Sequence, residues 1–251
     1  MCSSAAIAEG DSLKEVTIDY YHVKVKLSWN TNQFFTGSIK VEKNGEQVFS
    51  DDSTFSDYVE YKLIDLDGDK SKELVLVVTE GASPYIYNNM IIFDGLMWGY
   101  APRFRIQNAD IVEKENELPK ILAYTRMSPS VLGLGYHWLL EYKQGKLSCF
   151  TSKGTLWQSD VTPDIKGTEE NLKQYEDAGF TCEDSNYLTF FESVLLQGQI
   201  SGDMTEALDF FKKRFNCAST ANSTAMVELQ KRIDPVYFWI NDHKNYLYSN
   251  E

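Results

Sequence analysis

The sequence predicts an α+β protein in which antiparallel β-hairpins come first along the chain and helices follow. In the first part, apolar and polar residues alternate in short runs separated by turn residues, which is the period of strands. Beyond Asp160 the apolar residues recur at three- and four-residue spacing, which is typical of helices that bury one face. We therefore predict a flexible tether at 1–12, an antiparallel β unit at 13–160, and a helical region at 161–251 that packs on the β unit.

Composition narrows the class of partner. The chain has 251 residues, of which 43% are hydrophobic and 14% aromatic, so it can bury a substantial core and disorder is disfavoured. Its formal net charge is -13, and we find no basic cluster. Nucleic acids and anionic membrane surfaces are therefore disfavoured, because both are bound through lysine and arginine. The charge favours a basic protein as partner.

The strands are predicted from alternation and from turn residues. Alternating residues from Val16 to Trp29 change phase at Tyr20 and Tyr21, which predicts one strand with a bulge. Asn-Gly, Asp-Gly and Gln-Gly pairs between alternating runs indicate hairpin turns. These turns are expected at Asn44–Gly45, Asp94–Gly95 and Gln144–Gly145.

Residues that typically begin or end helices recur in the last third of the chain. Thr168 is expected to cap the first helix and Gly179 to end it, since glycine readily takes the left-handed conformation at a helix end. A second helix is expected after Ser185, and a third starts at a capping box formed by Asp203 and Glu206. Two further helices are predicted from Met226, Leu229 and Ile233 and from Pro235 onward.

The most chemically specific stretch is the acidic loop, residues 65–73, which lies between two strand-like runs. Its carboxylates stand at relative positions 1, 3, 5 and 9. Ca²⁺ takes six to eight oxygen ligands, so alternating acids in a short loop can surround one ion. The alternative is a solvated acidic turn, and an EF-hand does not fit because the glutamate at position 12 is absent. The predicted ligands are the side chains of Asp65, Asp67, Asp69 and Glu73 and the backbone carbonyl of Ser71.

The segment 61–78 resembles the calcium-loop unit of the FG-GAP/VCBS repeats. Those repeats carry an Asp-x-(Asp/Asn)-x-(Asp/Asn)-Gly-x-x-Asp loop between two antiparallel strands. Here Lys70 stands where the family usually has glycine, and Glu73 replaces the usual aspartate. The resemblance implies a structural calcium ion. Because we find a single copy of the unit, it does not imply a full propeller.

The start of the chain resembles a mature bacterial lipoprotein, in which a lipid-modified cysteine precedes a tether of small residues. Cys2 is the corresponding position, and an ordinary cytosolic start is the alternative. A calcium site favours an extracytoplasmic protein, either periplasmic or at the cell surface, although no signal sequence is visible. Of the other cysteines, Cys182 and Cys217 are the preferred disulfide pair, with reduced thiols as the alternative, and Cys149 is the third.

No motif in the sequence indicates catalysis. The three histidines, His22, His137 and His243, lack metal-binding spacing, and the nucleophile-elbow, phosphate-loop and dinucleotide motifs are missing. The segment from Gly81 to Met90 follows the strand that leaves the acidic loop. Its Tyr85 and Tyr87 are the expected partner-binding anchors, because tyrosine is favoured at interfaces.

These observations predict a non-enzymatic, calcium-stabilised extracytoplasmic binding protein. Single-loop FG-GAP-like lipoproteins include inhibitors of cell-wall hydrolases and immunity proteins against effectors, so the resemblance implies an enzyme as the partner, and the negative net charge favours a basic one. One alternative is a carbohydrate-binding or cell-wall-binding module that uses aromatic side chains as platforms. Another is a hydrolase that uses carboxylates or His137.

Overall fold

The structure is a computed structural model that describes residues 13–80, 87–95, 100–127, 134–181, 184, 186–215, 227 and 229–234. The α+β prediction is confirmed: these residues form three four-stranded antiparallel sheets and three α-helices, with no closed barrel or propeller. Residues 227 and 229–234 are also helical, where the sequence predicted a helix. The strands are β1 (Leu13–Tyr20), β2 (Val23–Asn30), β3 (Gly37–Lys43), β4 (Glu46–Phe55), β5 (Asp57–Ile64), β6 (Glu73–Glu80), β7 (Tyr87–Phe93), β8 (Phe104–Gln107), β9 (Ala109–Val112), β10 (Lys120–Arg126), β11 (Gly135–Lys143) and β12 (Lys146–Cys149). The helices are α1 (Ile165–Asp177), α2 (Tyr187–Ser201) and α3 (Thr205–Arg214).

The described residues divide into two compact units. The first contains 13–65 and 69–106, and the second contains 66–68 and the described residues from 107 onward. The predicted boundary at 160 thus lies inside the second unit, in which the helices accompany a sheet of their own. No helix in the described part of the chain is both long and apolar enough to cross a lipid bilayer.

The first unit is built from two sheets, ordered β1-β2-β3-β4 and β5-β6-β7-β8. Alternate residues of their strands point into one shared core, which includes Val25, Leu27, Ile39, Leu76 and Ile91. Each of these side chains is at most 1% exposed, and full burial of such a side chain contributes about 1.5–3 kcal/mol. Apolar burial between the sheets is therefore the main driving force for folding this unit.

The predicted bulge at Tyr20 and Tyr21 is wrong. The chain reverses there: β1 ends at Tyr20, β2 begins at Val23, and these two residues pair across an antiparallel hairpin. The two-residue turn contains neither glycine nor asparagine, and Tyr21 takes a positive φ of 50°. The change of phase in the alternation was correctly located, but it marks a turn and not an extra residue in a strand.

Two of the predicted hairpin turns are confirmed. Asn44–Gly45 joins β3 to β4 and Gln144–Gly145 joins β11 to β12, and all four residues have positive φ. The expected turn at Asp94–Gly95 follows β7, but residues 96–99 lie outside the described part of the chain. In the sheet, β7 lies between β6 and β8.

The second unit combines the sheet β12-β11-β10-β9 with helices that pack against it. The central helix α2 contacts β11, α1 and α3, and most of its residues are buried. Phe191 of α2 packs edge-on against Phe211 and Phe215, with ring centroids 5.6 and 5.0 Å away. These contacts explain why the last third of the chain carries apolar residues at helical spacing.

The predicted helix starts are shifted by a few residues. Helix α1 begins one turn before the expected Thr168, because the side chain of Asp164 accepts a hydrogen bond from Gly167 N and acts as the N-cap. Gly179 follows the helix with φ 88°, as predicted. The capping box predicted from Asp203 and Glu206 is not formed: Met204 is the N-cap of α3, and Asp203 accepts from Thr205 N at 2.9 Å just before the helix. Ser185 lies outside the described residues.

A side chain of α2 closes part of an open strand edge. Strand β12 pairs with residues 140–143 of β11, so the edge ahead of them needs other partners. The side-chain amide of Gln197 supplies a donor and an acceptor for this edge. Its Oε1 accepts from His137 N at 2.7 Å and its Nε2 donates to His137 O at 2.6 Å. Ser193, one helical turn earlier, donates to Gly135 O at 2.6 Å. Gln197 therefore makes the two backbone hydrogen bonds to His137 that a neighbouring strand would otherwise make.

Replacing Gln197 with alanine should destabilise the protein by about 1–3 kcal/mol, because the part-buried N–H and C=O of His137 and the buried Val161 O would lose hydrogen bonds. The measurement is the free energy of unfolding in urea. Gln199→Ala is the matched control on the same helix, since the buried Oε1 of Gln199 has no hydrogen-bond partner among the described residues. An equal loss in both variants would show that the amide bonds to His137 contribute nothing.

Candidate metal centre

The acidic loop connects β5 to β6, as predicted, and its ends are brought together by strand pairing. Ile64 pairs with Glu73, so Asp65 and Glu73 lie next to each other at the mouth of the hairpin. Carboxylate oxygens of Asp65, Asp67 and Glu73 lie within 4.8 Å of one another. Oxygens that share one Ca²⁺ at 2.3–2.6 Å are separated by at most about 5 Å, so this spacing suits a common ion.

The remaining predicted ligands have local roles in shaping the loop. The carboxylate of Asp69 accepts from Ser71 N at 2.6 Å and does not belong to the group of three. Asp65 accepts from Lys70 N at 3.0 Å. These bonds fold the loop back on itself, and two of its residues adopt positive φ: Gly68 at 82° and Lys70 at 73°. Lys70 thus takes a left-handed conformation that only glycine adopts without strain.

Burial differs among the three converging acids. Glu73 is 1% exposed, whereas Asp65 and Asp67 are half-buried. Within the second unit, Asp67 Oδ2 also accepts from Gln144 N at 3.2 Å. Three carboxylates at this spacing repel one another, and a divalent cation would remove that repulsion. The donor set consists of oxygen atoms, which suits a hard cation such as Ca²⁺.

Two tyrosines of the β1–β2 hairpin hold the end of the acidic loop. The Tyr21 hydroxyl lies 2.6 Å from Ser71 Oγ and accepts from Lys72 N at 3.0 Å. The Tyr20 hydroxyl accepts from Gly95 N at 2.8 Å and lies 3.1 Å from the carbonyl oxygens of Lys72 and Phe93, either of which can take its proton. One hydroxyl therefore connects the β1–β2 turn, the end of the acidic loop and the end of β7.

The electrostatics around Tyr20 keep its hydroxyl protonated. Burial, and to a smaller degree the neighbouring Tyr21, Glu73 and Asp94, raise the pKa of Tyr20 well above its usual value, although the bond from Gly95 N lowers it. A protonated hydroxyl can donate to a carbonyl and accept from an amide at the same time. The connection through Tyr20 is therefore maintained across the whole neutral range of pH.

Sequence reasoning missed Asp94 as a member of this neighbourhood. Its pairing with glycine indicated an exposed turn, yet Asp94 is 2% exposed. Leu74 pairs with Phe93 in the antiparallel ladder of β6 and β7. The residue before Leu74, Glu73, therefore lies beside the residue after Phe93, Asp94. The only signal in the sequence was its position immediately after a fully apolar run, Met90–Phe93, which predicts a buried strand end.

The predicted partner-binding tyrosines are only partly described. Tyr87 is the first residue of β7, pairs with Glu80 and is half-buried, whereas Tyr85 lies outside the described residues. The aromatic residues Tyr136 and Trp138 of β11 belong to the core, since each is 2% exposed. Those two residues are therefore excluded as recognition platforms.

The described histidines and the described cysteine lie on different elements and do not form a common site. His22 is exposed in the β1–β2 turn, His137 is exposed on β11, and His243 lies outside the described residues. Cys149 is a free thiol, and burial together with Glu141 raises the pKa of Cys149 to about 11, so it is protonated and unreactive at neutral pH. Cys2 and the proposed pair Cys182 and Cys217 also lie outside the described residues.

Comparison with known proteins identified no relative. No protein-family model matches the sequence, and no match was found among curated proteins or solved structures. The likeness to FG-GAP/VCBS repeats therefore stays a prediction that depends on the acidic loop itself.

Replacing Tyr20 with phenylalanine should lower the free energy of unfolding by about 1–3 kcal/mol, because Gly95 N and one of the carbonyls of Lys72 and Phe93 would lose a hydrogen bond. Tyr21→Phe is the matched control, since its hydroxyl is bound on the exposed side, where water can replace it. Urea unfolding in the presence of a chelator separates this effect from any bound ion. A Tyr21 variant that loses as much as the Tyr20 variant would contradict the assigned role.

Proposed function

We propose that this protein is a calcium-stabilised extracytoplasmic binding protein without catalytic activity, and that its ion is structural. The observation that carries the proposal is the convergence of oxygens from Asp65, Asp67 and Glu73 within 4.8 Å at the mouth of one hairpin. Asp69 and the carbonyl of Ser71, which lie in the same loop, would complete the oxygen ligands that Ca²⁺ requires.

The neighbouring contacts support a structural rather than a chemical role for the ion. The hairpin ends that it would join are also held by the hydroxyls of Tyr20 and Tyr21. Glu73, the most deeply placed acid, is 1% exposed, which leaves little access for a substrate from its side. An ion here would neutralise the acids and hold the start of β6 in register with the end of β5.

The charge of the whole chain supports a basic protein as partner. A formal net charge of -13 steers cationic proteins towards the surface and repels anionic ones. Tyr85 and Tyr87 are the proposed anchors, because they follow the strand that leaves the acidic loop. In this proposal the protein is held at a membrane through a lipid on Cys2 and inhibits a basic cell-wall hydrolase or effector.

Calcium should raise the melting temperature of the protein, by an amount equivalent to about 2.7 kcal/mol when the ion is at one hundred times its Kd. The variant Asp65→Asn with Asp67→Asn should lose this increase, while its melting temperature in chelator equals or exceeds that of the parent, because two of the three repelling charges are gone. Differential scanning calorimetry with and without Ca²⁺ makes the measurement.

The matched control for the calcium experiment is Asp177→Asn with Asp209→Asn. These two aspartates are exposed on α1 and α3, and their replacement removes the same number of charges. This control should keep the full calcium response. If the parent itself melts at one temperature in calcium and in chelator, the structural-ion proposal is overturned.

The partner proposal is tested by affinity capture from an extracytoplasmic extract of the source organism, followed by reconstitution with the purified captured protein. The expected result is a one-to-one complex with a basic protein that weakens steeply as salt rises, since surface attraction is screened. Tyr87→Ala should weaken it about tenfold or more, whereas Tyr21→Phe should not. Recovery of glycans alone would overturn this part of the proposal.

A further inference from the structure

A polar hollow of about 160 Å³ lies within the second unit, between β10, β11, the start of α1 and α2. Neither the calcium loop nor the proposed tyrosine anchors contribute to it. Cavities that hold drug-sized ligands measure about 300–1,000 Å³, so this hollow suits a smaller molecule or a single ring. Its lining includes Tyr124, His137, Asp164, Thr168, Asn171 and Gln197.

Two aromatic rings form one wall of the hollow. Tyr124 and His137 pair directly across β10 and β11, and their ring centroids lie 4.9 Å apart at an angle of 42°. Gly135 makes room for the tyrosine, because a Cβ at that position would come within 2.4 Å of Tyr124 Oη. This wall therefore depends on a glycine that no turn requires, since Gly135 is the first residue of a strand.

Both rings of this wall are neutral at pH 7. Burial raises the pKa of Tyr124 above its usual value, although Arg126 lowers it somewhat. Partial burial lowers the pKa of His137 below its usual value, even though much of this residue remains exposed. The wall thus offers ring faces and hydrogen-bonding edges without a formal charge.

The opposite wall is the first two turns of α1. Asp164 caps the helix through Oδ1, which accepts from Gly167 N at 2.9 Å. A Cβ on Gly167 would lie 2.3 Å from Asp164 Oδ2, so glycine keeps the space beside that carboxylate open. Thr168 and Asn171 follow at four- and seven-residue spacing on the same side of the helix, and each adds hydrogen-bonding groups.

The third side is held in place by bonds already described. The amide of Gln197 is engaged with His137 O and also donates to Val161 O at 2.7 Å, and Ser193 is bonded to Gly135 O. These polar groups are occupied within the protein, so they hold the hollow in shape. The groups left for a ligand belong mainly to α1 and to the two rings.

The residues that line the hollow determine which kind of ligand it can bind. Among the described residues around the hollow none is a lysine or arginine, so phosphates and carboxylates lack the charged partner that usually binds them. Hydroxyl groups suit it better: a carboxylate accepts from two of them, and an amide both donates and accepts. An aromatic ring can cover the apolar C–H face that a pyranose also has.

We propose that this hollow binds one neutral sugar ring, with hydroxyls on Asp164, Thr168 and Asn171 and a C–H face against His137 and Tyr124. The proposal does not rest on the calcium loop or on a protein partner. It makes the protein a carbohydrate-recognising one through residues that the sequence did not single out, apart from His137 and, as a helix cap only, Thr168.

The test titrates methyl β-glucoside and N-acetylglucosamine into the full chain and follows the imidazole Cε1–H signal of His137 by NMR, assigned with His137→Asn. A saturable shift with a Kd of about 1 mM or lower, a typical strength for one small polar ligand, is expected for at least one sugar. Asp164→Ser retains a helix cap but removes the carboxylate, and should weaken binding about tenfold or more.

The matched control is Asp203→Ser, because Asp203 also accepts a backbone hydrogen bond at a helix start, outside the hollow. It should leave the Kd unchanged, and circular dichroism of both variants checks that they fold. Should Asp164→Ser fail to fold, Asn171→Ala is the second variant and should weaken binding similarly. The proposal is overturned if neither sugar gives a saturable shift, or if inorganic phosphate or butylammonium binds more tightly than the sugars.

Discussion

The buried hydroxyl of Tyr20 is the interaction on which the order of the first unit depends. Apolar burial drives the two sheets together, but such burial is non-directional and does not by itself align strand ends. The Tyr20 hydroxyl joins the end of β1 to the start of β6 and the end of β7, since it contacts Lys72 O, Phe93 O and Gly95 N. The end of the acidic loop is therefore positioned by a tyrosine from another sheet, next to the place where the pairing of β6 with β7 brings Glu73 and Asp94 together.

In the second unit, hydrogen bonds from side chains complete an open edge of the sheet. Its sheet has an edge along the first half of β11 that β12 does not reach, and unpaired backbone groups at such an edge are costly when buried. Gln197 and Ser193 of α2 supply the missing partners. Because α2 covers the edge with side chains and not with a strand, space is left beside it for the polar hollow at the start of α1.

Local signals were sufficient where one or two residues decide the backbone. Asn44–Gly45 forms the predicted turn because asparagine and glycine tolerate positive φ. They were insufficient at Tyr20 and Tyr21, where the turn is stabilised by hydroxyl contacts to residues about fifty positions away. Helix α1 began a turn early for a related reason: Asp164 and Thr168 are both acceptable caps, and sequence spacing does not rank them.

The sequence by itself determined the α+β class, the succession of hairpins and the spacing of acids along residues 65–73, because periodicity and turn chemistry act over a few neighbouring residues. Only the tertiary structure decided which acids converge, that Asp94 is buried beside Glu73, and that Gln197 completes an open strand edge. The partners in those contacts are separated by up to 60 residues, as for Gln197 and His137. Such pairs depend on how sheets and helices pack, which no local pattern encodes.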